Sequence, residues 1–207
     1  MKRALLPLAL GLLLLAPSAR AEEQATGKDP EAGVHLGATA GIRVPDGARG
    51  DVLLRIGKVL SLGAGAGFLP ELTVPGAGVR VARVAGEGWL RVHPGSGAFY
   101  LGVAGGVSSI EGSATDREVA GVLETKATIR QAYVTPHLGA MWRLPLGMTL
   151  GTGIGVLVPV ASSDPRITTT LDGRSVGVTP GTVTDAARLV ARTPLPVVHL
   201  LDFGVVL

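Results

Sequence analysis

The chain has 207 residues, 46% of them hydrophobic but only 3% aromatic, with 31 glycines and no cysteine, so disulfides, thiolate chemistry and Cys-based metal sites are excluded. Its 19 lysines and arginines exceed its 16 acids, yet Lys2, Arg3 and Arg20 all lie in the first 21 residues, which hold no acid; without them the balance is 16 to 16 and nothing supports a nucleic-acid partner. The 186 residues that remain (207 minus 21) suit one domain, and no apolar run among them reaches the length of about 20 residues that a membrane-spanning helix needs.

Residues 1–21 have the build of a secretory signal peptide. Lys2 and Arg3 form a basic start, Ala4 to Ala16 an apolar stretch, and Ala19-Arg20-Ala21 a small-x-small cleavage site with the cut expected after Ala21. Glu22 follows rather than a cysteine, so a lipoprotein is not indicated. Residues 22–32 are polar and read as a flexible periplasmic leader. The remainder, 33–207, is expected to form one all-β domain.

From Val34 the side chains alternate with period two, which is the signature of strands. The first strand sets Val34, Leu36, Ala38, Ala40, Ile42 and Val44 against His35, Gly37, Thr39, Gly41 and Arg43. Pro45-Asp46-Gly47 signals a turn, and Asp51 to Ile56 is a second, shorter strand, followed by a tight turn at Gly57-Lys58. The third strand, Val59 to Leu69, places Leu60, Leu62, Ala64, Ala66 and Phe68 opposite Ser61, Gly63, Gly65 and Gly67. The fourth, Ala77 to His93, loses its alternation near Arg83, where a β-bulge is expected. In that register Val84, Gly86, Gly88, Leu90 and Val92 face out, with Arg83, Glu87, Trp89 and Arg91 inside.

Ala98 to Ser109 is a fifth strand without charge, and Ile110 to Leu123 a polar loop. The sixth strand runs from about Thr125 to Leu144, and Pro145-Leu146-Gly147 turns into the seventh, whose Thr152, Ile154, Val156 and Val158 oppose Gly151, Gly153, Gly155 and Leu157. Residues 162–196 form the longest loop, with a short helix expected at 185–192 behind Thr184 as N-cap. Val197 to Leu207 is the eighth strand, with Leu201, Phe203 and Val205 alternating against Leu200, Asp202 and Gly204.

Eight strands with uncharged outer faces cannot stand as an open sheet in lipid, because unpaired backbone groups cost several kcal/mol each; a closed antiparallel transmembrane β-barrel is the expected fold. Connections that alternate long and short fit external loops and periplasmic turns. Phe99, Trp142 and Phe203 then fall near the periplasmic rim, and Phe68 and Tyr133 near the outer one. Through Gly-rich alternating pieces such as GAFYLGVAGGV (97–107) and TPHLGAMWRL (135–144), the chain resembles the small eight-stranded outer-membrane barrels of the OmpA and OmpX type over roughly 34–207. That resemblance implies an outer-membrane location, contact with outer-membrane lipids and lipopolysaccharide, and handling by the barrel-assembly machinery. It implies no functional motif. The chain departs from the pattern at its last residue, Leu207, where an aromatic is usual.

The charged residues of the strands must then face a narrow lumen. The inward set comprises Arg43, Arg55, Arg83, Glu87, Arg91, Arg143 and Asp202, with Glu87 and Asp202 expected as acidic centres held by arginines from neighbouring walls. The glycine clusters 63–68 and 151–156 lie within strands and open no helix, so they are not dinucleotide loops. His35, His93, His137 and His199 lack metal-site spacing, and neither metal nor cofactor is expected. Ser162, Ser163 and Asp164 end the seventh strand while His199 begins the eighth, which offers a nucleophile, acid and base at one rim. Two functions therefore stand: a structural or surface-interaction barrel with a plugged lumen, whose loop 162–196 could receive an external partner, and a rim hydrolase acting on lipid A or peptides. A soluble lipocalin-like barrel is disfavoured because strands 98–109 and 147–160 carry no charge on either face.

Overall fold

The computed structural model describes residues 33–74, 79–118, 121–171, 174–176 and 192–207. The signal segment, the leader 22–32 and all but the last residue of the expected helix 185–192 lie outside the described residues. The alternating segments become β1 Val34–Val44, β2 Gly47–Ile56, β3 Leu60–Val74, β4 Val79–Val92, β5 Phe99–Glu118, β6 Gly121–Arg143, β7 Met148–Ser162 and β10 Leu195–Val206. A short hairpin of β8 Arg166–Leu171 and β9 Arg174–Val176 lies between β7 and β10.

Each of β1 to β6 pairs antiparallel with the next, and β10 pairs with both β7 and β1, so eight strands close into a barrel. The seam between β1 and β10 extends to the last residue, where Leu36 and Leu207 exchange backbone hydrogen bonds. Stepping from partner to partner around the wall leads from Val34 through Ile56, Leu60, Val92, Leu101, Leu138, Ile154 and Val198 to Val44. The walk thus returns to β1 ten residues from its start (44 minus 34). A stagger of this kind requires tilted strands, typically about 35–45° from the axis, and eight strands leave an interior that side chains can fill.

Both chain ends of the barrel and three of its turns share one end, called here the near end. The turns run through Gly57, through Pro94–Ser96 and through Pro145–Gly147, and Gly57, Gly95 and Gly147 take positive φ values of 58°, 70° and 74°, which glycine adopts at little cost. Outward positions are apolar and exposed: Val84, Leu90 and Val92 on β4, Leu101, Val103 and Val107 on β5, Val134 and Leu138 on β6, and Ile154, Val156 and Val158 on β7. Inward positions are polar and buried, among them Arg83, Glu87 and Arg91. This inverts the arrangement of a water-soluble protein.

Several boundaries differ from the sequence reading. β2 begins at Gly47, so the first far-end connection is the two residues Pro45-Asp46 and not a loop of six. The expected polar loop 110–123 is strand instead: β5 and β6 pair from Phe99↔Ala140 up to Glu118↔Gly121. That hairpin rises well beyond β2, and β8 pairs with β6 at Leu123–Thr128, where β7 has already ended. Above the apolar zone the outward face turns polar, with Glu111 and Lys126 exposed while Ile110, Thr125 and Ile129 stay buried, so alternation of hydrophobicity fades although the strand continues.

The bulge belongs to β3, not β4. Leu69 pairs with Arg83 and Leu72 with Val81, so two residues, Pro70 and Glu71, oppose Ala82 alone, while the β4–β5 register is unbroken. Arg80 then shares the outward face with Val84 and pairs with Glu71 at 3.3 Å, above the apolar zone. Pro70 and the bulge also blunt the edge that β3 exposes past the end of β2. Of the aromatics, Phe68, Phe99, Trp142 and Phe203 are exposed on the outer face, but Tyr133 is turned into the lumen at 1% exposure.

Candidate functional site

The far half of the lumen is a network of buried charges. Glu87, from the middle of β4, accepts from Arg43 of β1 at 2.7 and 2.8 Å, lies 2.9 Å from Nη1 of Arg49 on β2, and takes the Tyr133 hydroxyl of β6 at 3.0 Å. Arg43 also binds Asp46, the turn residue three positions on, and Asp46 holds Arg83 at 2.9 Å. Arg49 pairs in fork geometry with Asp51, which accepts the Trp89 indole N–H at 3.0 Å. Three arginines, Arg43, Arg49 and Arg83, thus face three acids, Asp46, Asp51 and Glu87, all buried. Bidentate, mutually neutralising pairs are the arrangement that makes charge burial tolerable.

The near half is built from rings. His93, Tyr100, His137 and His199 follow one another with centroid spacings of 5.7, 5.7 and 5.8 Å. Arg91 lies over Trp89 and Tyr100 at 4.2 and 4.6 Å and donates to Nε2 of His137 at 3.3 Å. Such cation–π seating accommodates a guanidinium without a carboxylate against it. His199 Nδ1 stands 3.3 Å from Asp202 Oδ2, and His137 Nδ1 3.1 Å from the Thr135 carbonyl.

These large side chains fit because glycines face them from the next strand. A Cβ at Gly63 would overlap the Trp89 ring, one at Gly139 or Gly153 the Tyr100 phenol, and one at Gly102 would come within 2.7 Å of His137 Nε2. The doubled glycine content thus supplies close wall-to-side-chain packing in a narrow interior.

Each residue singled out from the sequence can now be placed. Glu87, Arg83 and Arg43 join one network, as described. Arg91 reaches rings and a histidine, and Asp202 takes His199 where arginines were expected. Arg55 is buried and donates to the carbonyls of Gly57 and Lys58 at the near turn, each at 3.3 Å. Arg143 keeps the inward register at the end of β6 but is exposed at the near rim. Ala19 and Ala21 lie outside the described residues.

The structure does not bring the proposed rim triad together. His199 is level with Gly153 inside the barrel, whereas Ser162 pairs with Gln131 nine residues further along β7, and Ser162, Ser163 and Asp164 are exposed. β10 begins at Leu195, opposite Leu157, so His199 lies within the strand and not at its rim, and a bulge turns its side chain inward. Ile42 pairs with Leu201 but Arg43 with His199, so Leu200 and Leu201 both point outward and His199 turns in. A different serine–histidine contact does exist, Ser61 Oγ to His93 Nε2 at 3.2 Å, but both residues are buried and Asp202 engages His199 rather than His93. A nucleophile needs a base that is itself oriented by a third group, and Ser61, His93 and Asp202 do not form that set.

Sequence reasoning missed Asp46, Arg49, Asp51, Tyr100, Tyr133 and the lumen placement of three histidines. A usable signal was present for some: Arg49 and Asp51 are two apart on one strand face, and Arg43 and Asp46 straddle a tight turn.

No family model matches the chain, and no curated protein does. Two solved structures from Acinetobacter baumannii are similar to it. CarO2 is 12% identical with a TM-score of 0.49, the alignment covering 84% of this chain and 98% of that one. CarO is 13% identical with a TM-score of 0.40, over 81% and 95%.

Proposed function

We propose that this protein is an outer-membrane β-barrel with a structural or surface-interaction role and a filled lumen that conducts no steady current. The observation that carries the reading is the inversion of faces on one strand. On β4, Val84, Leu90 and Val92 are 55%, 42% and 41% exposed while Arg83, Glu87 and Arg91 are 3%, 8% and 5% exposed. The nine residues from Val84 to Val92 match the length at which a tilted strand crosses a hydrocarbon layer, about 9–11 residues. A charge on the outer face there would cost about 2–4 kcal/mol at mid-depth, and none occurs between those limits.

The near end, with both barrel termini and the turns at Gly57, Pro94–Ser96 and Pro145–Gly147, faces the periplasm in this reading, and the extended β5–β6 hairpin with β8 and β9 stands outside the cell. An export signal at residues 1–21 and handling by the barrel-assembly machinery belong to the same account. The burial of Arg43, Arg49, Arg83, Arg91 and the three lumen histidines supports a plugged cylinder. Planar-bilayer recording of the purified protein tests this: no steady conductance is expected, and a large stable current in the wild type would show an open lumen.

A further inference from the structure

The outer wall carries a depression of about 610 Å³ across β4 to β7 at the far edge of the apolar zone. Two rows of partnered residues frame it. The nearer row is Gly86, Val107, Ala132 and Ala161; the farther row is Val84, Ser109, Arg130 and Ser163. In the nearer row Gly86, Ala132 and Ala161 put small residues where β4, β6 and β7 elsewhere carry larger apolar ones on the outer face, with Val107 of β5 between them, and Gly88 and Gly105 continue the small-residue track into the apolar zone. Arg130 is the lone charged residue of the lining, it is exposed, and its guanidinium makes no ion pair among the described residues. Ser163 Oγ accepts the backbone N–H of Arg130 at 3.1 Å, which places that hydroxyl beside the arginine.

We infer that this depression binds one phosphate-bearing acyl lipid of the outer leaflet, with an acyl chain laid over Gly86, Ala132 and Gly105 and a phosphate held by Arg130 beside Ser109 and Ser163. The chemistry selects the occupant. An apolar trough that opens along the lipid-facing wall suits a hydrocarbon chain, and a single cation at its upper edge, at headgroup height, suits an anion attached to that chain. A peptide strand finds no free edge within the depression, since β4, β5 and β6 are paired on both sides at this level, and the stretch of β7 past Leu157 that lacks a β10 partner has its unpaired edge on the side away from the depression. The inference rests on the outer-membrane reading above.

Native mass spectrometry of the full-length protein, extracted in mild detergent and titrated with lipid A, tests it. One lipid A should bind the wild type. Arg130→Gln should lower its occupancy about tenfold, as expected for loss of one charge-assisted contact, and Ala132→Trp should abolish it by filling the trough, while Lys126→Gln leaves it unchanged. Lipid A stripped of phosphate should bind the wild type about tenfold more weakly and be indifferent to Arg130→Gln; inorganic phosphate should not compete. Gel mobility before and after boiling is recorded for every variant, so that a folded barrel is established separately from the site. Equal lipid occupancy in wild type, Arg130→Gln and Ala132→Trp, all folded and membrane-extracted, would overturn the site and leave the membrane reading intact. Competition by inorganic phosphate would instead show a free-anion site. Recovery of the wild type from the soluble periplasm would end both.

Discussion

His199 and Asp202 both face the lumen although three positions separate them, and their side chains meet at 3.3 Å only because Leu200 and Leu201 form a bulge that turns two consecutive leucines outward. Strict alternation would have placed one of the pair in the wall's outer face. Leu200 and Leu201 are 55% and 51% exposed, so Leu200→Arg and Leu201→Arg should each destabilise the barrel by up to about 2–4 kcal/mol in lipid vesicles. Urea titration of folded protein measures this. A regular strand would make only Leu201 sensitive, since Leu200 would then point at Asp202.

The two acids of the lumen differ in how much depends on them. Glu87 neutralises Arg43 and Arg49 and takes the Tyr133 hydroxyl, so Glu87→Ala leaves two buried guanidinium groups short of a partner and should cost about 3–5 kcal/mol. Asp202→Ala removes one histidine contact and should cost about 1–3 kcal/mol. The unfolding midpoints of the two variants decide the order; equal midpoints, or no change in either, would contradict the network drawn here.

Much of this architecture was legible in the chain because the outer wall is governed by one rule. Between Val84 and Val92 every outward residue is apolar or glycine, so β4 and its neighbours could be found by alternation alone. The same rule fails where its cause is absent. Above the apolar zone Glu111, Ser113, Lys126 and Thr128 face water on a continuous strand, and their composition reads as loop. The β10 bulge is silent because both residues it turns outward are leucine. Asp46 was hidden by a turn signal and Arg49 by the loop read after it, whereas in the structure Asp46 binds Arg43 and Arg49 binds Asp51 inside the lumen. Partners within the lumen depend on the ten-residue stagger, which no single strand reveals.

Glycines under large side chains make a packing prediction. Gly153→Val would drive its side chain into the Tyr100 phenol, and should abolish or sharply lower the folded yield in detergent refolding. Tyr100→Ala in the same chain should restore part of that yield. Failure of the second substitution to help would mean that backbone crowding, not Tyr100, excludes a side chain at this position.

Topology follows from which end carries the two termini of the barrel and which the extended β5–β6 hairpin. A protease site inserted between Leu171 and Arg174, within the β8–β9 hairpin, should be cut on intact cells, whereas one at Gly95 should be protected until the outer membrane is broken. The reverse pattern would invert the assignment of the two ends.

The most direct test of a lipid-facing wall around a closed lumen uses the chain's two tryptophans. Trp142 is 38% exposed on the outer face toward the near end, and Trp89 is 5% exposed inside, against Arg91 and Asp51. Trp89→Phe and Trp142→Phe each leave one reporter, and each variant is folded into vesicles of lipids brominated on their acyl chains. The fluorescence of Trp142 should be strongly quenched and that of Trp89 little changed. Equal quenching of both, or of neither, would contradict a membrane-spanning barrel with this inside and this outside.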